Sequence, residues 1–115
     1  MKQIPQVEYT ATFHQLANQL IDYQAECLGE IQAIDNVQKT INSFEALVKE
    51  DPLAPPISTA LLALGIQSIR EHKANGLRLF YQVIDNENVS IQCRVIASQQ
   101  QNIEKQLLNH CILNK

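Results

Sequence analysis

Four residues in the second half of the chain are of types that could do chemistry: Arg70, His72, Arg78 and Arg94. A guanidinium group binds the oxygens of a phosphate or a carboxylate through paired hydrogen bonds. Histidine titrates near neutral pH and can accept a proton as a general base. Arg78 and Arg94 together suggest an anion site, filled by a phosphate or by the carboxylates of a partner protein, and Arg70 and His72 are further candidates for a catalytic role. The alternative is that all four are solvated surface residues.

Metal and cofactor chemistry are not suggested by the sequence. Cys27, Cys93 and Cys111 are far apart, and the chain has neither a C-x-x-C pair nor a Cys/His cluster with the spacing of a zinc site. We therefore predict no metal and no cofactor. All three cysteines are expected to be small buried hydrophobic residues in a reducing compartment.

The length and charge of the chain limit the classes of protein to which it can belong. Its 115 residues and 13.0 kDa fit one domain, residues 1–115. Nine basic and twelve acidic residues give a net charge of -3, which argues against a general nucleic-acid-binding surface. No apolar run approaches the roughly 18 residues of a membrane span, and the N-terminus lacks the apolar stretch of a signal peptide. The expected location is the cytoplasm.

The first half of the sequence predicts a short strand and two helices. Val7 and Tyr9 alternate with polar residues in a strand over residues 6–10, and Thr10 or Thr12 can cap the helix after it. Apolar residues at spacings of three and four predict helices over 13–27 and 31–48, separated at Gly29. Asp51-Pro52 ends the second helix, since proline has no N–H to donate. Residues 58–64 fit either a short helical turn or a loop.

In the second half the apolar period changes from 3.6 to 2. It predicts a weak strand over 66–70, a polar loop over 71–76, and two strong strands over 77–84 and 89–97. A capping pattern at 98–101 opens a final helix. The expected fold is α+β, with the order β-α-α-β-β-β-α. An antiparallel sheet packs on the N-terminal helical hairpin, and a C-terminal helix completes the chain.

The alternation of the two strong strands predicts their register. If Leu77, Leu79, Tyr81 and Val83 share the core face with Val89, Ile91, Cys93 and Val95, a three-residue loop pairs Ile84 with Asn88. Arg78 then lies directly opposite Arg94, and this repulsion favours an anion between them. Glu104, at the start of the last helix, is the alternative counter-charge. Tyr81 is expected in the core, and Phe80 is expected on the polar face with Arg78.

The same hairpin resembles that of a known family. The segment GLRLFYQVID at 76–85, with VSI at 89–91 after it, resembles the G-x-R-[LV]-x-Y-x-[VI] hairpin of the RelE/ParE superfamily of type II toxins. The segments VIA at 95–97 and QNIE at 101–104 resemble the strand end and helix start that come after the hairpin in that family. The resemblance implies a toxin of a toxin–antitoxin pair, silenced by a cognate antitoxin whose extended tail wraps around it.

The resemblance leaves the target open between two branches. RelE-like members are ribosome-dependent messenger RNA endoribonucleases that use basic residues on the sheet, and ParE-like members are understood to poison DNA gyrase. Arg78 matches the phosphate-binding arginine of the RelE-like enzymes. However, residues 66–70 contain only Arg70 where those enzymes place paired lysines, and residues 98–101 contain no basic residue. The departures favour gyrase inhibition by protein–protein contact. A ribonuclease built on Arg78, or a degenerate member that only binds antitoxin, remains the alternative.

The partner-binding surface is expected on the polar face of the hairpin and on the final helix. An aromatic residue beside an arginine is a common anchor for a binding partner. We predict partner contacts from Phe80, Arg78, Arg94, Gln82, Ile103 and Leu107.

Overall fold

A computed structural model describes residues 5–85 and 89–99. Within these ranges the chain forms β1 (Gln6–Tyr9), α1 (Ala11–Leu28), α2 (Glu30–Glu50), the short α3 (Thr59–Leu62), β2 (Ile69–Ala74), β3 (Leu77–Asp85) and β4 (Val89–Ser98). The α+β architecture, with a sheet packed on an N-terminal helical hairpin, is confirmed. The predicted C-terminal helix lies outside the described residues.

Local capping interactions explain where the helices begin and end. The Thr10 hydroxyl accepts a hydrogen bond from the backbone N–H of Phe13 at 3.1 Å, so Thr10 rather than Thr12 caps α1. Gly29, with φ at +84°, joins α1 to α2, and α2 ends at Glu50 with Asp51 as its C-cap, next to the predicted stop at Asp51-Pro52. Ser58 caps α3 in the same way, which decides the segment left open between a turn and a loop.

The four strands form one sheet in the order β1-β4-β3-β2. Strands β2, β3 and β4 pair antiparallel, as expected, while β1 adds to β4 in parallel, so the sheet is mixed. Buried residues of the helical hairpin and of the helix-facing side of the sheet pack together, and the ring of Phe44 in α2 lies edge-on to that of Tyr81 in β3, with 5.0 Å between the ring centres. Phe80 and Val95, on the other side of the sheet, are buried as well. Tyr81 is buried, as predicted.

The prediction for β2 is wrong. A strand was expected over 66–70 and a polar loop over 71–76, but β2 begins at Ile69 and runs through the charged residues to Ala74. The connection to β3 is only Asn75-Gly76, both with positive φ (54° and 74°). This two-residue turn matches the twist of a hairpin and favours Asn-Gly. The polar residues at 71–73 therefore belong to an edge strand and not to a loop.

The predicted register between β3 and β4 is also wrong. Val83 pairs with Ile91 and Tyr81 with Cys93, two residues away from the expected pairing. A bulge comes next, because Arg94 is an extra residue in β4 and Phe80 pairs with Val95. The bulge moves Val95 off the face that it was expected to share with Cys93 and brings Ile96 opposite Leu79.

The two cysteines that the structure describes differ in burial, although both were predicted to be buried. Cys93 is fully buried, as expected, but Cys27 is exposed near the end of α1. Cys111 lies outside the described residues. None of the described helices combines the length and the apolar character that a membrane crossing requires.

Candidate functional site

A cleft of about 440 Å³ runs along the outer edge of β2. Strand β2 forms its floor, the segment 54–59 forms one wall, and Leu47 of α2 contributes to the other. Its lining is mainly apolar, apart from Thr59 and the three consecutive polar residues of β2. The lining residues are Leu47, Ala54, Pro55, Pro56, Ile57, Thr59, Glu71, His72 and Lys73.

The wall of this edge-strand cleft is fixed to the sheet by two side chains. Arg70 donates to the carbonyl oxygens of Leu53 at 3.1 Å and Pro55 at 2.6 Å. Tyr81, directly opposite Arg70 in the sheet, donates its hydroxyl to the carbonyl of Pro52 at 2.7 Å. Burial raises the pKa of Tyr81, so the hydroxyl stays protonated and remains a donor. The wall of the cleft is therefore held in place by the chain's own hydrogen bonds.

The backbone pairing along this edge stops part of the way along β2. Ser58 donates to the Ile69 carbonyl and Glu71 donates to the Pro56 carbonyl, on either side of the bridge between Ile57 and Arg70. Pro56 has no N–H with which to return a bond to the Glu71 carbonyl. By strand alternation the N–H and C=O of Lys73 also point outward. No described residue pairs with them, so the cleft contains a free strand edge.

His72 faces the helices at the inner side of the cleft. Its Nε2 lies 3.3 Å from the Ser43 hydroxyl, and its ring lies 5.7 Å from that of Phe44. Burial lowers the pKa of His72, because the protonated ring loses solvation there. His72 is therefore neutral at pH 7 and tied to α2.

On the other face of the sheet, Glu71 and Arg78 form a two-bond ion pair. Arg78 donates from Nε to Glu71 at 2.5 Å and from a terminal nitrogen at 3.1 Å. The Arg78 guanidinium also lies 5.2 Å from the centre of the Phe80 ring, a cation–π arrangement. The side chains of Glu71 and Arg78 are only 4% and 15% exposed, so each of these two buried charges is neutralised by the other. The exposed Lys73 approaches Glu71 at 3.9 Å.

The predicted anion site between Arg78 and Arg94 is wrong. Arg78 lies opposite Ala97 and forms its ion pair with Glu71, a residue that was predicted to lie in a loop. Glu104, the other predicted counter-charge, lies outside the described residues. Arg94 is the bulge residue, and its Nε is buried without a hydrogen-bond partner among the described residues.

The remaining predicted contact residues have different outcomes. Phe80 shares a face with Arg78, as expected, and its side chain is fully buried in the chain on its own. Gln82 is half-buried opposite Gln92. Ile103 and Leu107 lie outside the described residues.

The four candidate catalytic residues are not brought together. Direct pairing puts Arg70 and His72 on the helix-facing side of the sheet, opposite Tyr81 and Leu79, whereas Arg78 and Lys73 lie on the other side. A base and a phosphate-binding group on opposite faces cannot act on one phosphate. Within the described ranges, no three His, Cys, Asp or Glu side chains are grouped closely enough to hold a metal ion.

Sequence reasoning missed Glu71 and Pro56, the residues that shape this edge. The available signal was Asn75-Gly76, since a two-residue turn would have extended β2 back through Glu71. A strand that begins at residue 69 would also have put the proline pair at 55–56 beside its outer edge. The break in alternation at Ile96 was the corresponding signal for the β4 bulge.

Comparison with known proteins identifies a likeness of fold. No family model and no curated protein matches the sequence. Among solved structures, the chain is similar to one from the "Chromosomal ParDE TA system from P. aeruginosa", a toxin–antitoxin system. The TM-score is 0.65 with 12% sequence identity, over 83% of this chain and 96% of that one. At this identity the match establishes a shared fold.

Proposed function

We propose that this protein is the toxin component of a type II toxin–antitoxin module, acting in the cytoplasm on DNA gyrase. The likeness of its fold to a chain of the ParDE system is the observation that carries the toxin assignment. The hairpin segment at 76–85 supports it independently, since that resemblance lies in the sequence.

The antitoxin would bind along the edge-strand cleft. An extended peptide can add to a sheet edge through backbone hydrogen bonds, while pockets between the strands select its side chains. Lys73 offers an open N–H and C=O, Leu47 and Ile57 offer apolar contacts, and the Lys73 ammonium offers a charge for an acidic residue. An apolar, acidic, extended tail therefore fits the cleft.

Two features favour protein contact with gyrase over cleavage of messenger RNA. Arg78, the candidate phosphate ligand, is already paired with Glu71, and Arg70 is already used in holding the 52–55 segment. Cleavage by a 2′-hydroxyl needs a base, an acid and charge stabilisation on one substrate. His72 and Arg78 lie on opposite faces of the sheet, so they do not supply that combination.

Expression without the partner tests the function directly. We expect growth arrest with induction of the DNA-damage response, intact bulk messenger RNA, and inhibition of gyrase supercoiling by the purified chain. Rapid ribosome-dependent cleavage of messages would replace this proposal with the ribonuclease. Binding of the antitoxin without any growth arrest would identify a degenerate member.

Amide exchange tests the antitoxin site without relying on toxicity. The probe is the protein encoded by the short reading frame next to this gene, which type II modules place beside the toxin. We expect the Lys73 amide to exchange quickly in the free chain and to become protected in the complex. Leu47→Glu should weaken binding, whereas Leu64→Glu, exposed but outside the cleft lining, should not. Protection confined to other strands would refute this site.

A further inference from the structure

The helical hairpin extends past the sheet, and its end has a different character from the rest of the molecule. We define the hairpin tip as residues 21–36, the end of α1, Gly29 and the start of α2. The last fully buried residue of α1 is Leu20, and Ala33 is the only buried residue of the tip. Cys27 lies seven residues after Leu20 and continues its stripe, but it is exposed. The apolar stripe of α1 therefore continues beyond the part of the helix that is buried in the core.

Large apolar side chains are exposed at this tip. Ile31 is 86% exposed and Tyr23 69%, and Leu28 and Ile34 are about half exposed. Single exposed apolar residues are ordinary on a protein surface, whereas apolar side chains exposed close together are typical of interaction sites. These four lie within the last two turns of α1 and the first two turns of α2.

The charge of the tip restricts what can cover it. It carries four exposed acidic residues, Asp22, Glu26, Glu30 and Asp35, and no lysine or arginine. The other 99 residues carry nine basic and eight acidic residues, so the tip accounts for the net negative charge of the chain. Asp35 is paired with Lys39 at 3.0 Å. In the part of the chain that the structure describes, the other three acids have no ion-pair partner.

The tip is held in place by side-chain amides. Asn36 donates to the Gln24 side chain across the hairpin and to the backbone carbonyl of Asn75, each at 3.4 Å. Asn75, in the β2–β3 turn, donates back to the Thr40 hydroxyl at 3.2 Å. The sheet turn therefore braces the base of the tip. A braced surface loses less conformational entropy on binding than a flexible one.

We propose that the hairpin tip is a second protein-docking surface, which takes a basic amphipathic helix of a partner. The partner's apolar side chains would cover Tyr23, Leu28 and Ile31, and its lysines or arginines would meet Glu26 and Glu30. Charge complementarity selects this partner. A second copy of the chain would bring two acidic sets together, and an anionic lipid surface would be repelled. The surface is distinct from the edge-strand cleft and does not depend on the toxin assignment.

A designed peptide probes this surface in the full-length chain. The probe is a 15-residue amphipathic helix with leucines on one face and lysines on the other, compared with the same peptide carrying glutamates. We expect amide shift changes in NMR spectra to concentrate at residues 21–36, and the lysine peptide to bind at least about tenfold more tightly than the glutamate peptide. The preference should weaken as salt is raised.

Matched variants show which residues of the tip contribute to binding of the peptide. The double variant Glu26→Lys/Glu30→Lys should weaken the lysine peptide about tenfold or more, and Ile31→Ser should weaken both peptides. Glu50→Lys changes an exposed acid at the far end of α2 and should leave binding within about twofold. All of these positions are exposed, so an unchanged melting temperature checks that the variants fold.

The proposal would be overturned by no binding at millimolar peptide, by shift changes outside the tip, by equal binding of both peptides, or by self-association through the tip in sedimentation. Vesicles of phosphatidylglycerol should not shift the tip resonances, and a shift there would indicate a lipid surface instead. Since Lys73 exchange and growth arrest are measured separately, failure here leaves the proposed function intact.

Discussion

The edge-strand cleft and the hairpin tip both expose large apolar side chains, but they are built in opposite ways. The cleft is concave, and its wall is tied to the sheet through Arg70 and Tyr81. The tip projects beyond the sheet and is braced only at its base, by Asn36 and Asn75. The cleft offers an unpaired backbone edge, whereas the tip offers only side chains and negative charge.

This difference indicates what each region can recognise. A strand edge binds any extended peptide through its backbone, so selectivity must come from the pockets beside it. Two packed helices have already satisfied their backbone groups, so selectivity at the tip depends on shape and charge. Similar exposure of apolar surface thus implies two different kinds of partner.

The largest expected difference between the two regions is in how much their ion pairs contribute to the free energy of unfolding. Glu71→Ala leaves the Arg78 charge buried without its partner, which should lower the free energy of unfolding by about 3–5 kcal/mol. Asp35→Ala breaks the exposed pair with Lys39 and should cost less than about 0.5 kcal/mol. Urea unfolding of both variants measures the contrast. Equal losses would show that the cleft floor does not depend on the Glu71–Arg78 pair.

A smaller difference is expected when the hydroxyl group is removed from one tyrosine in each region. Tyr81→Phe removes the hydroxyl that holds Pro52, so it should destabilise the fold by about 1–2 kcal/mol and speed amide exchange in residues 53–59. Tyr23→Phe, at the exposed tip, should change stability by less than about 0.5 kcal/mol. If Tyr81→Phe leaves exchange in 53–59 unchanged, the wall is held by Arg70 alone.

The smallest expected effect is a pH dependence of the free energy of unfolding, which arises from His72 in the cleft. Burial places the pKa of His72 below its unfolded-state value of 6.5, so the unfolded chain binds the proton first as the pH falls. The resulting stability is fully present above pH 6.5 and is lost as the pH drops through the folded pKa. His72→Gln should flatten the stability profile in this window. The tip has no histidine, so its peptide affinity serves as the internal comparison. An unchanged profile in His72→Gln would contradict this role.

The sequence was most informative where apolar residues repeat along an element with a clear helical or strand period. Both long helices and the strong strands β3 and β4 were predicted to within a few residues on that basis. The edge strand β2 was misplaced because its Glu71 and Lys73 do not follow an apolar alternation, and the conformation of Asn75-Gly76 was the better guide. Cys27 fits the apolar stripe of α1, but no periodicity shows that the sheet ends before it. The partner of Arg78 depended on the β2 register, so it could not be found before the turn was placed.

The parallel pairing of β1 with β4 also constrains how the protein is made. Residues 6–9 pair with residues 90–93, and the Thr10 hydroxyl that caps α1 also donates to the Arg94 carbonyl at 3.5 Å. During synthesis α1 and α2 can form from local contacts, but β1 has no strand to join until β4 has been translated. The nascent chain therefore carries an unpaired β1 until β4 has been translated. The edge-strand cleft needs less of the chain, because its wall is held by Arg70 of β2 and Tyr81 of β3, so it can form once residue 81 has been translated and before β1 finds its partner.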